Sequence, residues 1–132
     1  MEMNILGWKL DEYELGYVSG KQIGYLFTID GEPLEFKDFI PLSGYDIEEV
    51  DYLSDTQSLE DAPYLACCVC GIVGCDAVQT IVKFEGGTVC WSAFRYLYGK
   101  PTKLGEYCFD KTQYCQAIHS LLEDIKKNNR GH

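Results

Sequence analysis

Cys67-Cys68-Val69-Cys70-Gly71-Ile72-Val73-Gly74-Cys75 is followed by Val78-Gln79-Thr80-Ile81-Val82-Lys83-Phe84 and, after Gly86-Gly87, by Thr88-Val89-Cys90-Trp91-Ser92-Ala93-Phe94. The runs are rich in β-branched and aromatic residues and the gaps carry turn chemistry, which predicts three antiparallel strands in sequence. With Gly86-Gly87 as a two-residue loop, Glu85 faces Thr88, Phe84 faces Val89, Val82 faces Trp91 and Thr80 faces Ala93. Phe84, Val82, Val89 and Trp91 then share one face, while Lys83, Glu85 and Ser92 share the other. That is the alternation of a half-buried sheet. With Gly71 to Gly74 as a four-residue loop, Cys70 faces Cys75, Cys68 faces Ala77, Cys67 faces Val78 and Leu65 faces Thr80. Cys67 joins the Trp91 face in that register, and Cys68, Cys70 and Cys75 occupy the opposite one.

Toward the N-terminus, Asn4-Ile5-Leu6 is compatible with a strand start, whereas Asp11-Glu12-Tyr13-Glu14 is a polar run of no clear type. Gln22 to Ile29, the turn signal Asp30-Gly31, and Leu34 to Phe39 predict a hairpin with Pro33 at the mouth of its second strand. Residues 40 to 63 break the β pattern. Asp46-Ile47-Glu48-Glu49 there has the D-x-x-E form of a helix start, with Ile47, Val50 and Leu53 on one side. Toward the C-terminus, Arg95 to Tyr98 extend the third strand and Glu106 to Phe109 form a short last one. Asp110 caps a helix in which Gln113 completes a reciprocal cap, and Tyr114, Ile118, Leu121, Leu122 and Ile125 make one apolar stripe. The expected fold is α+β: an antiparallel sheet of five or six strands with the C-terminal helix packed on one face, in a single domain over residues 1–132. Trp91, Val82, Phe84, Val89, Ile118, Leu121, Leu122 and Ile125 are its expected core.

A chain of 132 residues with 46% hydrophobic and 14% aromatic content excludes general disorder. Its first residues lack a basic head and a long apolar run, and no window approaches 18 consecutive apolar residues, so the expectation is a cytoplasmic protein with no membrane partner. In that compartment seven cysteines read as free thiols or metal ligands rather than disulfides. The net charge of −10 is concentrated. From Asp38 to Val82 there is no Lys, Arg or His, and that window holds Asp38, Asp46, Glu48, Glu49, Asp51, Asp55, Glu60, Asp61 and Asp76. Direct nucleic-acid binding is disfavoured, because phosphates are repelled, and a cationic partner is favoured by the same sign.

Three chemistries are open to the thiols and to His119. Cys68, Cys70 and Cys75 share a face and offer three ligands to a zinc ion, the metal alternative to simple packed thiols. Cys90 is on the same face but lies opposite Lys83, which is eight residues along the strand from Cys75, roughly 26 Å at about 3.3 Å per residue, so it does not reach that knuckle. A fourth ligand has to come from Cys108, Cys115, His119 or a distant acid. Cys67-x-x-Cys70 has redox spacing, but in a strand the alternation separates the two side chains. Cys115 and His119, four apart on the last helix, have the spacing of a nucleophile and base, yet read more simply as a stripe neighbour and a solvent-edge residue. No catalytic residue, metal centre or cofactor is assigned, and the chain is expected not to be an enzyme.

The segment Cys68-x-Cys70-Gly71-x-x-Gly74-Cys75 with Thr88-Val89-x-Trp91-x-x-Phe94 resembles one found in small bacterial proteins, some encoded beside polymorphic toxins. Size, acidity and layout also resemble immunity proteins of contact-dependent growth-inhibition systems. The resemblance covers about residues 64 to 94 and implies a partner, a basic toxin domain that is often a nuclease. Set beside the charge distribution, it makes Asp46, Glu48, Glu49, Asp51, Tyr52, Asp55, Glu60 and Asp61 the expected partner-binding residues, with Tyr45 and Tyr64 as further aromatic anchors. The competing readings are a plain solvated acidic loop and a thiol- or zinc-containing protein with a redox or other enzymatic role.

Overall fold

Two glycine-bearing turns close a short and a long hairpin in the structure, a computed structural model that describes residues 3–14, 21–35, 39–42, 47–54, 63–68, 77–96 and 105–128. Asp30 (φ 54°) and Gly31 (φ 84°) are both left-handed, as a type I′ turn requires. At the second turn Gly86 alone is left-handed (φ 62°), which is the type II′ pattern with glycine first. The element order is β1 (Leu6–Glu14), β2 (Lys21–Ile29), β3 (Glu32–Pro33), β4 (Phe39–Ile40), α1 (Ile47–Tyr52), β5 (Tyr64–Cys68), β6 (Ala77–Glu85), β7 (Thr88–Tyr96), β8 (Tyr107–Asp110) and α2 (Lys111–Asn128).

The fold is α+β with antiparallel pairing between its strands, but the expected single sheet is replaced by two. One sheet has the order β1-β2-β3; the other joins β5, β6, β7 and β8, with the two-residue β4 at its β5 edge. The split occurs where the Leu34 to Phe39 strand was expected. β3 stops after two residues, the Leu34 N–H donates to the Phe27 carbonyl at 2.8 Å, and Leu34 turns into the core. Phe39-Ile40 then pair with Cys68 and Cys67 of β5 instead. The polar run Asp11 to Glu14 belongs to β1 and pairs with Gly24 to Lys21. Folding the first sheet over the second lets Leu6, Tyr25, Phe27 and Ile29 bury against Trp91 and its neighbours. A single wide sheet would leave much of that face wet, since an 18-residue helix is only about 27 Å long.

Trp91 is the centre of this core. It is fully buried and makes edge-on contacts with Phe27 (5.4 Å between centroids), Phe109 (5.3 Å) and Tyr114 (6.1 Å). The β6–β7 register follows the expectation from Glu85↔Thr88 through Val82↔Trp91. Beyond Ile81↔Ser92 it does not: Gln79 pairs with Arg95, a bulge that takes the place of the expected Thr80–Ala93 pair. Ala93 is left-handed (φ 51°) and exposed, and Phe94 is buried. The extra residue reverses the alternation, so that Trp91 and Phe94, three apart, both point inward. The β5–β6 register is also one residue from the expected one, with Cys67 opposite Ala77 and Ala66 opposite Val78. A second irregularity between Tyr64 and Ala66 widens the difference to two residues, with Tyr64 opposite Gln79. Residues 69 to 76, the cysteine knuckle itself, lie outside the described residues.

α2 buries Tyr114, Ile118, Leu121 and Ile125, with Leu122 partly covered. Of the expected core, Trp91, Val82, Val89, Ile118, Leu121 and Ile125 are buried, and Phe84 and Leu122 are half-buried. Asp110 caps α2, its carboxylate accepting the Gln113 N–H at 3.1 Å. In place of the expected reciprocal half of that cap there is a long-range contact. The Gln113 side chain crosses to β1, donating to the Leu6 carbonyl (2.6 Å) and accepting from the Leu6 N–H (3.0 Å). It works as a clasp between the helix and the first sheet.

Candidate functional site

α1 is a six-residue helix, too short to persist without tertiary support. Val50 and Leu53, three apart on one side, are both fully buried. Leu53 is also held by a buried hydrogen-bond chain in which Trp91 Nε1–H donates to the Tyr114 hydroxyl (3.0 Å) and that hydroxyl donates to the Leu53 carbonyl (2.5 Å). Burial pushes the Tyr114 phenol well above its ordinary range, more than the Trp91 hydrogen bond lowers it. The neutral, donating form is therefore the one present around neutral pH.

The opposite side of α1 carries the acids. Glu48, Asp51 and Tyr52 lie at i, i+3 and i+4, so they share a face, and all three are exposed, Tyr52 at 44%. Glu49 is half-buried. Of the expected partner-binding residues, the structure thus brings Glu48, Asp51 and Tyr52 together on a helix fastened to the core by its other side. Asp46, Asp55, Glu60 and Asp61 lie outside the described residues, as does Tyr45; Tyr64 is half-buried on β5.

Where α1 meets α2, Ser54, Tyr114, Cys115, Ile118, His119 and Leu122 line a cavity of about 110 Å³. Cys115 is a free, exposed thiol and His119 is exposed, so both sit at the rim, as expected for the margin of the stripe. The cavity's one deeply buried hydroxyl, that of Tyr114, is committed to Trp91 and Leu53.

The thiols are arranged differently from the expectation. Cys70 and Cys75 lie outside the described residues, and Cys68 is placed only as a backbone position in β5. Cys90 and Cys108, expected to be free, form a disulfide between β7 and β8, their Cα atoms 4.1 Å apart. The register Thr88↔Asp110, Val89↔Phe109, Cys90↔Cys108 sets them face to face. The sequence pattern puts Cys90 on the outer face and Cys108 in a strand, but it does not join them, because the connection after Tyr96 is too long to dictate a register. Glu106 stands two residues before Cys108 and so on the same face, and its carboxylate lies within 4.8 Å of both sulfur atoms. Among the described residues no helix is long and apolar enough to cross a membrane. Comparison with family models, with curated proteins and with solved structures finds no match to this chain.

Proposed function

We propose that the chain is an acidic binding protein of the immunity type, which neutralises a cationic protein toxin domain by covering its active site or substrate path. One observation carries the reading: a 45-residue window without a basic residue contains α1, whose exposed face sets Glu48 and Asp51 around Tyr52. Rigid attachment of α1 through Val50, Leu53 and the Tyr114 hydroxyl favours binding, because little ordering entropy is lost when a partner docks. Clustered charge of one sign speeds capture of an oppositely charged partner, and an aromatic among the charges supplies contact area. Asp46, Asp55, Glu60 and Asp61, from the same basic-free window, belong to the partner-binding set in this reading.

The test is expression of the adjacent open reading frame with and without this protein, scoring growth and then association of the purified pair by stopped flow. Rescue of growth and a tight complex are expected. Glu48→Lys with Asp51→Lys should slow association by about tenfold or more at low salt and flatten its salt dependence. Rescue with an unchanged association rate would move the interface off α1, and the absence of any toxic neighbour would remove the immunity reading.

A further inference from the structure

The outer face of the second sheet holds a cluster that α1 and its acids do not use. We propose that Cys90, Cys108 and Glu106 form a redox-gated site for a thiophilic divalent cation of the zinc class, closed as a disulfide in the oxidised chain and open as two thiolates and a carboxylate in the reduced one. The pair is held by the strands, not only by the bond between the sulfurs. The Cys108 backbone is turned away from β7: its N–H donates to Asn4 Oδ1 (3.2 Å) and its carbonyl accepts the Asn4 N–H (2.7 Å). Cys90 and Cys108 are therefore a non-hydrogen-bonded pair, the kind that brings opposed residues closest, in agreement with 4.1 Å between their Cα atoms. The neighbouring Val89↔Phe109 and Trp91↔Tyr107 pairs, whose Phe109 and Trp91 rings lie in the core, keep that spacing after reduction.

The geometry suits a small tetrahedral ion. Zinc–sulfur bonds of about 2.3 Å place two thiolates about 3.8 Å apart, and a carboxylate oxygen slightly closer. All three ligand atoms already lie within 4.8 Å of one another. Glu106 is exposed and Cys90 half-buried, so a fourth position faces solvent and the site is open rather than closed. Two thiolates select zinc, cobalt or cadmium over magnesium and calcium, which prefer oxygen. The chemistry balances without a hidden partner. A dithiol reductant gives two electrons and two protons to the Cys90–Cys108 bond and leaves as its own disulfide. The cation then replaces the two thiol protons, which go to solvent. Because the same two sulfurs make either the disulfide or the metal bonds, oxidation and metal binding exclude each other.

The test titrates the full chain with Co²⁺ under anaerobic conditions, before and after treatment with a phosphine reductant. Reduced protein should develop a thiolate-to-cobalt charge-transfer band that saturates at one equivalent, and the oxidised protein should show none. The band should vanish in Cys90→Ser/Cys108→Ser, which keeps the other five cysteines. Glu106→Gln, at an exposed position, should weaken binding more than about tenfold, since even outer-sphere partners of metal ligands are worth that much. A second readout stands if the double variant fails to fold: bound Zn²⁺ should protect Cys90 and Cys108 of the wild type from alkylation, as mapped by mass spectrometry. An undiminished band in the folded double variant, equal binding by oxidised and reduced chains, unchanged affinity in Glu106→Gln, or full alkylation of both cysteines in excess Zn²⁺ would each overturn the proposal.

Discussion

Replacing Tyr114 by Phe deletes one oxygen that serves two buried groups at once. In the native chain the Trp91 indole N–H donates to it, and it donates to the Leu53 carbonyl, with Trp91, Tyr114 and Leu53 all fully buried. Phenylalanine fills nearly the same volume, so no large cavity opens and the change isolates the polar term. Leaving a buried donor or acceptor without its partner costs about 1–3 kcal/mol each. The carbonyl is the more tolerant of the two, and the ring becomes slightly more apolar, so the expected net loss is about 2–4 kcal/mol. In urea, where a small domain loses about 1–3 kcal/mol per molar, that is a midpoint lower by roughly 1–2 M at unchanged slope. Tryptophan fluorescence follows the transition, since Trp91 itself reports on the site. The same variant also tests the titration. The folded Tyr114 pKa is raised above its unfolded value near 10, so its contribution is complete below about pH 10 and is lost as pH climbs from there toward the folded value. Wild type should therefore lose stability above about pH 10 at up to about 1.4 kcal/mol per pH unit relative to Tyr114→Phe. A loss under about 0.5 kcal/mol at neutral pH, the scale of an ordinary surface substitution, would refute the buried chain and with it the anchoring of α1.

Leu121→Ala should cost about 2–5 kcal/mol in urea unfolding, since Leu121 is fully buried under α2. Gly86→Ala should cost about 1–2 kcal/mol because an L side chain disfavours φ 62°, whereas Gly87→Ala, with open space around it and no positive φ, should be near neutral. Asp30 accepts from Asn4 Nδ2 and the Ile5 N–H, both at 2.7 Å, and these bonds hold its carboxyl below the usual carboxylate range. Its contribution is thus present above the unfolded value near pH 4 and is lost as pH falls through the folded one. Asp30→Asn, which keeps a residue tolerant of the left-handed turn, should flatten the acid limb of melting temperature against pH, and an unaltered limb would count against the pairing. Gln113→Ala should free the Leu6 backbone and raise hydrogen exchange at the Leu6 amide, with little change at the amides of α2 beyond its first turn.

Elements whose signal is local were legible in the sequence. The Asp30-Gly31 and Gly86-Gly87 turns, the register near the second of them, the α2 stripe and its Asp110 cap all depend on residues a few positions apart, and the structure reproduces them. The face of α1 followed in the same way, because Val50 and Leu53 against Glu48 and Asp51 is a matter of helical period. What tertiary structure decided lies where two distant segments compete for one surface. Gln113 satisfies the Leu6 backbone across the fold rather than its own helix terminus, a choice that becomes available only once β1 lies beside α2. The bulge at Ala93 exists because Phe94 gains more by joining Trp91 in the core than the ladder loses by one interrupted pair. The strand expected from Leu34 to Phe39 does not extend the first sheet: β3 ends at Pro33, Leu34 turns into the core and Phe39 pairs in the second sheet, since folding β1 and β2 over Trp91 buries an apolar face that a single sheet would leave to water. Cys90 and Cys108 meet for the same kind of reason: their register is set by Phe109 and Tyr107 seeking the core on the inner face, and the two thiols on the outer face are carried into contact by that packing.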